Sequence, residues 1–116
     1  MAKKLKPPSL ISGRWRITWI DQWDQDFVDA EIEGFFEFAS DNLGSFQFGY
    51  VKGDIDYRPG IREGKPSVEF SFEGHDEMDP AQGRGWAVLD GEEIDGMIFF
   101  HGGDESAFKA RRAKRK

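Results

Sequence analysis

The chain contains no cysteine in its 116 residues, which excludes disulfides, thiolate metal sites and cysteine nucleophiles. Histidine is nearly absent too: His75 and His101 are the only imidazoles available for proton transfer or metal ligation. No apolar run approaches the roughly 20 residues of a membrane-spanning helix or the roughly 7 to 15 of a secretory signal. A soluble, cytoplasmic protein with no membrane partner is therefore expected. No serine sits in a nucleophile elbow, and Gly83-Arg84-Gly85 lacks both the third glycine and the following helix of a phosphate loop. Acids are so numerous that a carboxylate pair for glycoside chemistry could be drawn from almost anywhere, so none is singled out. The expectation is a binding or interaction role rather than catalysis, with no cofactor.

What the chain has is aromatic mass and acid. Eleven Phe and four Trp lie in a sequence only 38% hydrophobic, and each buried ring removes on the order of 150 to 250 Å² from water. The length suits one domain, with a basic arm over 1–12, a folded body over 13–112 and a basic tail over 113–116. All 22 acids fall between Asp21 and Glu105, whereas nine of the 16 bases lie at the two ends. From Pro7 to Phe108 the net charge is −15. Such a body repels phosphate backbones, and only the ends, with Lys109-Ala110-Arg111-Arg112 running into the basic tail, would attract nucleic acid, without sequence preference.

Period-2 alternation dominates the order of the chain. Gly13 to Ile20 places Trp15, Ile17 and Trp19 on one face. Asp21 to Asp29 follows, with Trp23 and Phe27 four apart as in one helical turn. Further strands are expected over 31–39, bent at Gly34, and over 45–51, 54–61, 67–73, 86–90, 93–100 and 106–112. Pro59-Gly60 weakens the fourth, and 74–85 reads as the longest irregular segment. Eight short strands joined by short turns predict an all-β, eight-stranded antiparallel up-and-down barrel; a two-sheet sandwich is the alternative.

Gly13-x-Trp15 on the first strand, with Arg111 and Arg112 on the last, resembles the calycins, the superfamily of lipocalin-like and avidin-like barrels. That resemblance implies a meander barrel in which a basic residue of the last strand packs across Trp15 and closes one end. It implies a binding function without identifying a ligand.

In such a meander the odd-numbered connections share one end. They gather Asp21 to Asp29, Gly74 to Gly85 and His101 to Glu105 into an acidic mouth, opposite a floor of tight turns. Trp23, Phe27 and Trp86 are the candidate apolar wall for a small apolar or cationic ligand, with His75 and His101 beside it. His75 and His101, with Asp76 and Asp104, are also the candidate metal ligands, although their spacing matches no compact metal motif. The interior rings either line a cavity or fill it, since eight strands enclose little more than their own side chains. A His-dependent enzyme, a nucleic-acid binder acting through its ends and a self-associating protein remain alternatives; oligomeric state is open.

Overall fold

The computed structural model describes residues 10–113. Eight antiparallel strands in sequential order close into one barrel. They are β1 (Gly13–Ile20), β2 (Phe35–Phe38), β3 (Leu43–Phe48), β4 (Val51–Arg62), β5 (Lys65–Asp76), β6 (Asp79–Asp90), β7 (Glu93–Phe100) and β8 (Glu105–Arg112), with one short helix, α1 (Gln25–Val28). The ring closes by pairing of β1 with both β2 and β8. No helix among the described residues is long and apolar enough to cross a membrane.

The inward positions are aromatic, and the rings touch in a continuous column. From the mouth, Trp23 meets Phe48 at 5.1 Å between ring centres, Phe48 meets Phe46 at 5.8 Å, and Phe46 meets Phe36 at 5.5 Å. Phe36 then meets Phe38, and Phe38 meets Tyr57 at 5.1 Å. The Tyr57 hydroxyl donates to the Ala39 carbonyl in the floor turn. Phe70, Phe72 and Phe108 pack around this axis, and every member from Phe48 to Tyr57 is essentially buried. The interior is filled.

Glycines make the filling possible. Phe46 stands directly across from Gly53, Phe72 from Gly83, Phe70 from Gly85 and Phe108 from Gly96. In each pair the ring covers the glycine; a Cβ on Gly53 would sit 2.5 Å from the Phe46 ring. Rings this large fit an eight-stranded interior because the facing position has no side chain.

Several expectations change. Trp19 is not a core residue: the register shifts between Ile17 and Trp19 where β1 pairs with β8, so Ile20 turns inward and Trp19 is 43% exposed. A bulge inverts the pattern that simple alternation projects. Tyr50 lies in the β3–β4 turn and is exposed, and β2 is only Phe35–Phe38, leaving Ile32 outside. Pro59-Gly60 does not break β4, because pairing with β3 stops at Leu43 opposite Asp56. Pro59 then lies on an unpaired edge, where a missing N–H costs little. The supposed irregular segment 74–85 belongs to a long hairpin, with Gly74 opposite Ala81, His75 opposite Pro80 and Asp76 opposite Asp79. Gly83 and Gly85 serve ring packing, and Gly74 a close approach to the Lys52 backbone, rather than turning.

Candidate functional site

The floor is sealed by the residues that carried the resemblance. Trp15 is fully buried and its indole N–H donates to the Ile11 carbonyl at 2.8 Å. The Arg112 guanidinium lies over the Trp15 ring and also donates to the Ser12 and Leu10 carbonyls at 3.0 and 2.8 Å. Gly13 has φ +122, and a Cβ there would meet the Arg112 guanidinium at 3.1 Å. Any other residue at 13 would be strained and would crowd the arginine. Arg111 points away and pairs with Glu93 at 3.3 Å, so of the two basic candidates Arg112 makes the closure.

The other end is open. Asp24 caps α1 by accepting from the Phe27 N–H at 2.9 Å, and Gln25 donates to the Ile17 carbonyl at 3.0 Å, which ties the helix to β1. Phe27 folds over Gly49 and meets Tyr50 edge-on at 6.0 Å. Trp23 covers the end of the aromatic column, touching Phe48 and also Phe100 at 5.9 Å. Above it lies a depression of about 710 Å³, whose lining includes Trp23, Phe100 and the carboxylates Asp54, Glu73, Asp76, Asp79 and Asp104. Among the described residues His101 is its only basic side chain, and no lysine or arginine lines it.

The sequence-based candidates divide. Trp23 and His101 line the depression, whereas Phe27 lies beside it against Tyr50 and not on its wall. Trp86 is on the outer face of β6, where the Arg62 guanidinium covers it at 4.0 Å from the ring centre, so it forms no part of the mouth. Its inward neighbours are Gly85 and Ala87; assigning the bulkiest side chain to the interior misleads where glycine is the inward residue. His75 is exposed on β5 opposite Lys52 and Pro80, with Nδ1 3.0 Å from the Glu77 carbonyl oxygen. His101 begins the β7–β8 turn, where its backbone N–H donates to the Gln82 carbonyl at 2.7 Å. Asp76 and Asp104 reach the depression, but no group of three or more His, Asp or Glu among the described residues could hold a metal ion. The metal set His75, His101, Asp76 and Asp104 is therefore not assembled.

Sequence reasoning does not place Phe100 and Glu73 in the lining. Alternation along the seventh strand says nothing of the rim, but the place of Phe100 at the end of β7 beside the His101 turn puts its ring there. Glu73 alternates as an outward strand acid, whereas Asp54 adjoins the third connection, which a meander already brings to the mouth; their direct pairing across β4 and β5 concentrates charge at one edge of the depression. Compared with protein-family models, with curated proteins and with solved structures, the chain finds no match.

Proposed function

We propose that the protein is a binding module whose acidic mouth takes a small organic cation. One observation carries this reading: an open depression lined, among the described residues, by five carboxylates and no lysine or arginine, with the Trp23 and Phe100 rings in its lining. A quaternary or protonated amine gains from an indole face and from nearby carboxylates together, by about 0.5 to 2 kcal/mol for the ring alone. A purely apolar ligand would need the barrel axis, which phenylalanine side chains occupy. The pairing of Trp15 with Arg112 supports a calycin-like barrel, one whose interior has been given to rings and whose binding surface has moved to the rim.

The test is calorimetric titration with hexyltrimethylammonium and, in parallel, with uncharged hexanol. The cation is expected to bind with a Kd of about 0.1 to 1 mM and hexanol not measurably. Asp79→Asn and Asp104→Asn are each expected to weaken the cation about three- to tenfold without unfolding the protein. Equal affinity for both compounds would defeat the proposal.

A further inference from the structure

The tip of the β5–β6 hairpin and a hollow on the outer wall of the same sheet suit one another, but not within one chain. At the tip Met78 is 94% exposed, flanked by Asp76, Glu77 and Asp79. The turn is held in place: the Glu77 N–H donates to the Tyr50 carbonyl at 3.2 Å, and His75 contacts the Glu77 carbonyl. Glu77 has φ +56, a conformation that glycine or asparagine adopts more easily. A fixed turn thus presents one apolar side chain among carboxylates.

The hollow, of about 270 Å³, lies on β4, β5 and β6 and is lined by Arg58, Ile61, Arg62, Val68 and Trp86, with Glu69 as its one carboxylate. Arg62 lies on the Trp86 ring, and Arg84, two residues along β6, lies on Phe99 at 4.9 Å. Among the described residues Arg62 and Arg84 join no ion pair, whereas Arg14, Arg16, Lys52, Arg58 and Lys65 all do. In a body of net charge −15 these two guanidinium groups are uncompensated. Stacking on a ring leaves their in-plane N–H groups free for carboxylates. The same acidic body disfavours a polyphosphate partner. A carboxylate-bearing segment with an apolar tip fits better, and this chain carries one.

Eight residues of extended strand, about 26 Å, separate Met78 from Trp86, so the tip cannot enter its own hollow. We propose that the chain self-associates, Met78 of one copy entering the hollow beside Trp86 of the next while the tip carboxylates face Arg62 and Arg84. Sulfur against an aromatic edge and charge-assisted guanidinium–carboxylate bonds provide the attraction. Because tip and hollow are different surfaces, the contact is heterologous and propagates into open chains rather than closing on a dimer. Asp76 and Asp79 also line the mouth depression, but Met78 and Arg62 do not, so variants at these two positions test the contact while leaving the lining of the cation site unchanged.

Sedimentation equilibrium of the full chain decides it. Salt is a poor variable, since it weakens the local pairs and also screens the overall repulsion. The wild-type weight-average mass is expected to rise with concentration without levelling at twice the monomer. Met78→Asp removes the tip and Arg62→Glu the hollow; both positions are exposed, and each variant alone is expected to associate at least about tenfold more weakly. Mixed together they are expected to form a one-to-one pair that grows no further, because one supplies an intact hollow and the other an intact tip. A wild-type monomer up to about 1 mM, a mass that levels at a dimer, or a mixture no heavier than its separate variants would overturn the proposal.

Discussion

The Arg112 guanidinium lies 4.1 Å from the centre of the Trp15 ring, fastening the last strand of the barrel to the first. The same guanidinium donates to two backbone carbonyls of the segment leading into β1. One side chain therefore joins three parts of the floor.

Replacing Trp15 with Ala is expected to cost about 3 to 5 kcal/mol, as for other buried aromatics. Trp19→Ala, four residues on and exposed, is expected to cost less than about 1 kcal/mol. Urea denaturation of the two variants measures the difference. Similar losses would mean that the bulge in β1 is misplaced.

Arg112→Lys is expected to destabilise the fold despite keeping the charge, because an ammonium cannot lie flat on an indole while donating to both carbonyls. In a double-mutant cycle, Arg112→Lys and Trp15→Phe should couple by at least about 0.5 kcal/mol. Additive effects would show that the ring and the guanidinium do not interact.

Gly53→Ala places a methyl against the Phe46 ring and is expected to cost about 1 to 3 kcal/mol. Adding Phe46→Leu frees that space, so the pair should cost less than the sum of its members. A glycine that tolerates alanine without loss would separate ring packing from the choice of glycine.

Any affinity for nucleic acid is expected to reside in the terminal bases, to fall steeply with salt and to ignore sequence. Residues 1–9 and 114–116, which hold six of those bases, lie outside the described residues. Lys109 and Arg111 belong to β8 and are paired with Asp95 and Glu93. A truncation must therefore spare β8. Removing 114–116 alone is expected to weaken filter binding at moderate salt; unchanged binding would point to a surface on the barrel itself.

The fold was legible because alternation and turn residues recur at each strand. Trp15 and the basic residues of β8 marked the two strands that meet at closure. The long β5–β6 hairpin was not legible, since Gly74, Pro80, Gly83 and Gly85 look like loop chemistry until the facing Phe70 and Phe72 are known. Trp19 and Trp86 were misplaced for related reasons. A bulge shifts the face of one, and glycine takes the inward position beside the other. At the mouth, Trp23, Asp54, His101, Asp76 and Asp104 were legible from connection order alone, whereas the approach of Glu73 and Phe100 depends on register that spacing does not encode.

Amide and indole NMR spectra followed during titration with hexyltrimethylammonium test the central claim, that the filled barrel binds at its acidic rim. Saturable shifts are expected at the Trp23 indole N–H and the amides of Gly74, Gln82, Phe100 and His101, with Phe36, Phe38 and Phe70 undisturbed. Shifts centred on those interior rings, or on Trp86 at the outer wall, would contradict it.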